Sequence, residues 1–430
     1  MTERGLKLRI LMLSPDAQMI DRRILQEAHT LIDAGHQVVL LSGFECREPD
    51  AYEDRGIVVK RYTYDWRDRR RSKLNERFGQ RLGRLAWPAL RLINRMRGGA
   101  NAFEAFILEK VLEHEFDVIH VHDFPMLRVG IMAAKARNVP IVYDSHEFYP
   151  VQSCFTPEEQ KRYLAMERVL VRACSQVITV NPYLARMIAE AHGISEPMVI
   201  LNASEAPAQT SADLSAEARR KGREERGLPP DAFIFLYQGW LSPERNLEPM
   251  IEAMAGLDSD AVLLVVGYGE YVATLKELAK THSVSERVIF YGRVESADLA
   301  TITQLCDVGI IPYRAVDEMH RYCSPNKLFE FIASEIPILA SDLPYLRDIV
   351  AGYEIGWLGD FGSAQNIARL MREIRADATG LAAARRKLPK AFAELNWTVE
   401  GRKLVAIYDT IATMAGPRRS QSALNVRRPD

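Results

Sequence analysis

Short aliphatic runs recur along this chain, and nearly every one is followed by a stretch with helical periodicity. Leu8 to Leu13, Val38 to Leu41, Val118 to Val121, Ile141 to Tyr143, Val177 to Val180 and Met198 to Leu201 are such runs in the first half. Phe233 to Tyr237, Ala261 to Val266, Val288 to Tyr291, Val308 to Ile311 and Ile338 to Ala340 repeat the pattern in the second. Strands that are apolar on both faces belong to parallel sheets covered by helices on each side. Between runs, Ile24, Leu25, Ala28, Leu31 and Ile32 recur at helical spacing before Gly35, a helix stop. The alternation predicts two doubly wound α/β domains. A chain of 430 residues also exceeds the size at which one core keeps growing. The expected boundaries are an N-terminal Rossmann-like domain over 1–203 and a linker over 204–230, rich in Ala, Ser, Pro and charge. A second Rossmann-like domain over 231–396, a terminal amphipathic helix over 397–414 and a polar, disordered tail over 415–430 complete the chain.

The net charge of -1 gives no overall pull toward nucleic acid. The 5 cysteines show no metal spacing and suit reduced thiols in a cytoplasm. No apolar run approaches the roughly 20 residues needed to span a bilayer, so any membrane contact is expected to be peripheral. One stretch departs from this average. Over 61–99, Arg67, Arg69, Arg70, Arg71, Lys73, Arg77, Arg81 and Arg84 crowd together, interleaved with Leu74, Phe78, Leu82 and Leu85. It reads equally as a basic amphipathic segment for an anionic membrane face and as a solvated helical hairpin packed on its domain. No stacking-aromatic pattern accompanies the charge, which argues against nucleic acid.

The polar points sit where strands end, and open α/β sheets bind ligands beyond the carboxyl ends of their strands. Asp21 follows the first run, His122 and Asp123 follow Val121, and Asp144-Ser145-His146-Glu147 follows Tyr143. A His beside carboxylates suits acceptor binding or proton handling, though each reads singly as a loop hydrogen-bonding residue. The spacing of His122, Asp123, Asp144 and His146 matches no metal motif, so no metal is expected. In the second half, Gly239, Gly267, Gly269 and Gly292 follow strands. Gly267-Tyr268-Gly269 lacks the third glycine of a dinucleotide fingerprint, which disfavours a nicotinamide cofactor, but such glycines still let backbone approach a ligand. In Tyr322-Cys323-Ser324-Pro325-Asn326-Lys327, Ser324 reads as a helix N-cap and Pro325 as the first helical residue. Lys327 then faces the positive end of a helix dipole, which is unfavourable unless an anion binds there. Locally it reads as a solvated Lys on a short helix. Together with Arg245 and the strand-end glycines it describes a rim suited to a nucleoside diphosphate.

In order, these segments resemble the retaining glycosyltransferases of family 4. The carriers are Asp21-Arg22-Arg23-Ile24, Gly35-His36-Gln37-Val38, Phe116 to Asp123, Tyr143 to Glu147, Gly239 to Asn246, Val266 to Gly269, Phe290-Tyr291-Gly292 and Ser324 to Glu330. The resemblance covers the chain from Lys7 to about Met414 except the basic insertion. It implies a GT-B fold, with two Rossmann-like domains facing a cleft and a C-terminal helix crossing back to the first. It implies a UDP-sugar or GDP-sugar donor, no cofactor, and transfer to a glycan or lipid-linked acceptor in cell-surface polysaccharide or glycolipid synthesis. Among the residues it implies, Lys327 and Arg245 meet the diphosphate, Glu330 the ribose hydroxyls, and His146 the transferring sugar. Gly239, Gly267, Gly269, Arg293, Val294, Tyr322, Ser324, Pro325 and Asn326 would complete the donor site; Asp21, Arg22, His122, Asp123 and Glu147 would meet the acceptor. The implied setting is cytoplasmic, peripheral on the inner membrane face. Two residues depart from the family pattern: Tyr322 stands where a Glu is expected, and Trp240 where Arg is frequent. They keep open a GT-B protein that binds without catalysing. A sugar-nucleotide epimerase is a further alternative.

Overall fold

The computed structural model describes residues 7–16, 20–46, 48–64 and 99–423. Most of the basic 61–99 stretch, including the arginines from Arg67 to Arg97, lies outside the described residues. The chain divides into two compact units. One comprises Met1–Pro150, Phe155–Ile200 and Gly401–Asp430; the other comprises Val151–Cys154 and Leu201–Glu400.

The first unit carries β1 (Arg9–Leu13), β2 (Gln37–Ser42), β3 (Asp50–Asp54), β4 (Ile57–Arg61), β5 (Val118–His122), β6 (Ile141–Ser145), β7 (Gln176–Thr179) and β8 (Met198–Val199). Their order is β3-β4-β2-β1-β5-β6-β7-β8. All pairs are parallel except β3 with β4. That hairpin turns at Arg55 and Gly56, both with positive φ, the geometry of a two-residue hairpin loop. β3, Asp-Ala-Tyr-Glu-Asp, is too polar to announce itself and was not expected. The interior strands are buried end to end, as at Val118–His122 and Ile141–Ser145. The side chains of Leu11, Leu13, Ile119, Val121, Leu127 and Tyr143 form the core between sheet and helices.

The second unit carries β9 (Phe233–Gln238), β10 (Ala261–Val266), β11 (Val288–Gly292), β12 (Val308–Ile311), β13 (Ile338–Ser341) and β14 (Gly356–Gly359), ordered β11-β10-β9-β12-β13-β14 and parallel throughout. In both sheets the chain winds outward one way, then restarts beside the first strand. The resulting switch points lie between β1 and β5 and between β9 and β12, where open sheets leave a crevice at the carboxyl edge.

Three expectations change. The 204–230 stretch, expected as a linker with one charged helix, has that helix at Ala216–Glu224 and falls wholly within the second unit. Arg223 is buried and donates to the carbonyls of Leu305 and Ala232 at 2.8 and 2.7 Å. The charged sequence hid this, because a paired buried Arg looks like a solvated one in composition. The final helix runs Trp397–Ala423, so the backbone over 415–423 is helical rather than irregular, and 424–430 lie outside the described residues. Buried Leu404, Ile407, Tyr408 and Ile411 anchor it, and a nucleated helix extends at little further cost. Finally, the helix after Cys323 begins at Asn326 with Pro325 as its N-cap, one residue later than expected. Pro325 keeps an extended ψ of 136°.

Candidate functional site

In the second unit, helix Asn326–Ala333 is pressed onto the sheet by Leu328, Phe329, Phe331 and Ile332, all fully buried. A Cβ on Gly309 of β12 would come within 2.5 Å of the Phe331 ring, so only glycine there admits the ring. Burying side chains of this size contributes roughly 1.5–3 kcal/mol each. That packing fixes the first turn of the helix at the β9/β12 switch point and carries Lys327 inward.

Lys327 is 5% exposed. Its Nζ lies 3.6 Å from the Tyr237 ring centroid and 4.9 Å from that of Tyr313. No hydrogen-bond acceptor reaches it among the described residues. Burial, then the charge of Arg245, pushes its pKa well below the usual lysine value. Arg245 ends a short turn, Pro243–Arg245, and places its guanidinium 4.8 Å from the same Tyr313 ring. Two cations thus share one aromatic ring at a strand end. The glycines close this region. A Cβ on Gly239 would meet Lys327 Nζ at 3.4 Å, and one on Gly267, where φ is +144°, would lie 1.9 Å from the Gly239 carbonyl oxygen. Gly269 is packed as closely on Leu241. Glu330, one turn past Lys327, accepts a short hydrogen bond from Gln238 Nε2, and Gln238 Oε1 accepts from Thr303 at 2.9 Å. A cavity of about 550 Å³ opens beside Tyr313, lined also by Ser341, Gly359 and Asn366.

The remaining donor-side residues fall in two groups. Ser324 and Pro325 are buried at the helix start, and Asn326 opens the helix. The Ser324 carbonyl accepts from Asn202 at 3.3 Å. Tyr322 is half-buried, with Arg321 5.5 Å over its ring. Arg293 is exposed, 5.3 Å over the Tyr268 ring, with the half-buried Val294 next to it. Trp240 is 46% exposed and meets Tyr268 edge-on at 5.1 Å.

The first unit holds a second cluster, at the β1/β5 switch point. Arg23 lies buried in helix Arg22–Asp33 and grips Asp144 with two hydrogen bonds of 2.8 and 3.1 Å. It also pairs with Glu27 at 3.1 Å and donates to the Ile200 carbonyl at 2.7 Å. Asp144 in turn accepts from His146 Nε2 at 3.1 Å, while His146 Nδ1 stands 3.4 Å from Asp123. His122 Nδ1 lies 3.3 Å from His146 Nε2. His120 stacks on His122 and contacts the Tyr408 hydroxyl at 2.9 Å. Burial raises Glu27 well above the carboxylate range, with Asp144 adding to it. Asp144 stays ionised: burial opposes its charge, but Arg23 and His146 override it. His146 is pushed up to about 10 by Asp123 and Asp144, against its burial. Burial brings Asp123 up to about 7, opposed by His146. His120 and His122 are held neutral, chiefly by burial. His146 therefore holds its proton near neutral pH, against the ionised Asp144 on one side and the half-ionised Asp123 on the other. It donates protons to hydrogen bonds and has no lone pair to act as a base.

Glu27, His120, His122 and Asp144 offer ligand atoms within 4.8 Å of one another, close enough for a metal ion. Arg23 already lies against both acidic side chains of that set, 3.1 Å from Glu27 and 2.8 Å from the ionised Asp144. Of the acceptor-side residues, His122 and Asp123 join the cluster. Asp21 is instead the exposed N-cap of the first helix, accepting from the Arg23 amide at 2.7 Å. Arg22 is half-buried beside it, and Glu147 is exposed, its carbonyl accepting from Ser145. Sequence reasoning gave no site role to Arg23, Glu27, His120, Gln238 or Tyr313. Only Arg23 carried a signal, as an arginine on the apolar face of its helix.

The doubly wound pair of sheets is the GT-B fold. The structure resembles sucrose-phosphate synthase from Thermosynechococcus elongatus, with a TM-score of 0.71 at 17% identity over 95% of this chain and 100% of that one. It also resembles Anabaena HepE in complex with UDP-glucose, with a TM-score of 0.70 at 17% identity over 94% of this chain and 100% of the other. The profile for glycosyl transferases group 1 matches residues 218–393, and that for Glycosyltransferase Family 4 matches residues 20–203. The chain belongs to this glycosyltransferase family, and it is a glycosyltransferase. The D-inositol 3-phosphate glycosyltransferase of Xylanimonas cellulosilytica is 25% identical over 76% of this chain and 80% of its own length. The alpha-monoglucosyldiacylglycerol synthase of Streptococcus pneumoniae is 24% identical over 58% of this chain and 57% of its own.

Proposed function

We propose that this enzyme moves a sugar from a UDP-sugar or GDP-sugar to a glycan or lipid-linked acceptor, with retention of anomeric configuration, in polysaccharide or glycolipid synthesis. The observation that carries the reading is Lys327: a buried ammonium with no hydrogen-bond acceptor, beside Arg245, at the switch point of the second sheet. Burying a charge unpaired is costly, and a diphosphate supplies what the site lacks. Lys327 and Arg245 hold the diphosphate, together with the free amides of Asn326 and its neighbours at the helix start. Glu330, braced by Gln238, takes the ribose hydroxyls. Gly239, Gly267 and Gly269 let backbone approach the donor, and Arg293 and Val294 face the base, with Tyr322, Ser324 and Pro325 completing the site.

In the transfer step the sugar C1–O bond breaks and the nucleoside diphosphate departs with the electron pair. The acceptor oxygen bonds to C1 on the same face, and its proton passes to the departing phosphate oxygen. Lys327 and Arg245 stabilise the charge that develops there. His146 holds Asp144 through Nε2 and donates its Nδ1–H, 3.4 Å from Asp123, to an oxygen of the transferring sugar. Asp21, Arg22, His122, Asp123 and Glu147 are the acceptor-side set. This step uses no cofactor or metal. UDP-glucose is bound in HepE, and a diacylglycerol glycolipid is the product named for one relative; both support the donor and acceptor classes.

Among the described residues no helix is long and apolar enough to cross a membrane. A cytoplasmic enzyme docked peripherally through 61–99 fits a lipid-linked acceptor. The test is a thermal-shift screen of UDP, GDP and their sugars, followed by donor hydrolysis and identification of the product anomer. Nucleotide stabilisation and hydrolysis, both lost in Lys327→Ala and Arg245→Ala, are expected; an inverted product refutes retention. Nucleotide binding without transfer selects the non-catalytic alternative, which the exposed Trp240 favours.

A further inference from the structure

The second unit has another concentration of positive charge, at the opposite edge of its sheet from Lys327. Phe233 opens β9, Asp260 precedes β10 and Asp307 precedes β12, so all three mark the amino edge. They line an open basin of about 970 Å³ into which Arg219, Arg220, Arg223, Arg375 and Arg385 converge. Two of these cations are already matched. Arg375 pairs with Asp258 and Asp260, and Arg220 pairs with Asp231 at 3.2 Å. The other three share one carboxylate. Asp307 Oδ2 is occupied by Arg223 at 2.8 Å and the Ile234 amide at 2.9 Å. Its Oδ1 is left with Arg219 at 3.7 Å and Arg385 at 3.5 Å, both beyond hydrogen-bond length. Arg219 gives three of its five N–H donors to Ser211 and the Cys306 carbonyl, which leaves two for a ligand. No acceptor reaches the buried Nε of Arg385 among the described residues. Glu217 adds one carboxylate at the exposed rim. Three guanidiniums therefore face one carboxylate, with an unmet planar donor among them. Arginine's fork of N–H groups fits a tetrahedral phosphate oxygen pair.

We propose that this basin binds a phosphate dianion, free or as a phosphate monoester, between Arg385 and Arg219, with Arg220 exchanging its exposed, weakly held partner Asp231 for the anion, at a site separate from the donor residues. The volume exceeds what one phosphate fills, which leaves room for the rest of a monoester.

The test is a thermal-shift titration with inorganic phosphate and with a hexose 6-phosphate, at ionic strength held constant with chloride. It is run on the full chain carrying Arg245→Ala and Lys327→Ala, so that phosphate uptake at the donor residues does not contribute. A saturable rise in melting temperature is expected. Added Arg385→Gln should weaken it by about tenfold or more, the loss expected for a charge-assisted hydrogen bond. Arg386→Gln, which removes the same charge from an exposed position outside the basin, should leave it unchanged. Arg220→Gln is the second basin variant, should Arg385→Gln fold poorly. Equal affinity for the two ligands assigns the site to free phosphate; tighter hexose phosphate binding assigns it to a phosphorylated metabolite. A shift that does not saturate, or one equally present in the Arg385→Gln and Arg220→Gln proteins, overturns the proposal.

Discussion

Replacing Lys327 by Met separates two effects that usually move together. In the free protein the ammonium is buried without an acceptor and rests on the Tyr237 and Tyr313 rings. Its desolvation costs several kcal/mol, and the two cation–π contacts return roughly 1–2 kcal/mol each. Met fills a similar volume and keeps the apolar contacts. Lys327→Met should therefore make the ligand-free protein more stable, by roughly 1–3 kcal/mol, the cost of a buried polar group left unpaired. The nucleotide effect has the opposite sign. Losing charge-assisted hydrogen bonds worth about 1.5–3 kcal/mol weakens UDP or GDP binding roughly 10- to 150-fold. Thermal melts with and without nucleotide read both at once. The proton balance gives a second readout. Because the folded pKa of Lys327 lies below the unfolded value, the unfolded chain binds the proton more readily between those two limits. Stability of the wild type should rise with pH through that window, up to about 10.5, and the variant should lose that slope. Diphosphate binding favours the ammonium and raises the Lys327 pKa back toward its ordinary value, so binding should take up protons in calorimetry at the alkaline end of that window. A variant that melts several degrees lower with its nucleotide shift intact would refute the reasoning.

Other outcomes follow from the same geometry. Glu330→Gln should weaken UDP binding while leaving pyrophosphate binding unchanged, since only the ribose contact is lost; parallel titrations decide it. Gly267→Ala places a Cβ 1.9 Å from the Gly239 carbonyl and should destabilise by more than about 1–3 kcal/mol, read by chemical denaturation. Asp144→Asn leaves Arg23 and His146 buried without their shared carboxylate, a loss of about 3–5 kcal/mol; stability equal to the wild type would show the pair is not closed. His146 has a folded pKa of about 10, above the ordinary 6.5, so its contribution is complete below 6.5 and fades as pH rises through about 10. The stability gap between wild type and His146→Asn should therefore narrow at high pH, and a constant gap would show that the ring is neutral. Deleting 67–97 should abolish co-sedimentation with anionic liposomes; unchanged binding rejects membrane docking through that segment.

The strand and helix pattern was legible because burial on both faces forces near-continuous aliphatic runs, as at Val118 to Val121 and Ala261 to Val266. β3 and β14 escaped because an exposed or very short edge strand needs no such run. Lys327 was picked out in sequence because a cation stood oddly at a helix start, and His146 because it follows a strand beside carboxylates in a motif the family shares. Tyr237 and Tyr313 around Lys327, and Arg23 behind Asp144, were not, since pairing depends on where chain segments far apart in sequence arrive.

Local chemistry therefore fixed the two doubly wound units, the positions of their strand-end loops and the identity of the residues those loops carry. Periodicity and turn preferences act over a few residues and need no tertiary information. Only the folded arrangement decided that Arg23 meets Asp144 across 121 positions of sequence, and that Lys327 and Arg245 share Tyr313. It also made His146 a cation. A protonation state is set by burial and by neighbouring charges, and both exist only once the chain has closed on itself.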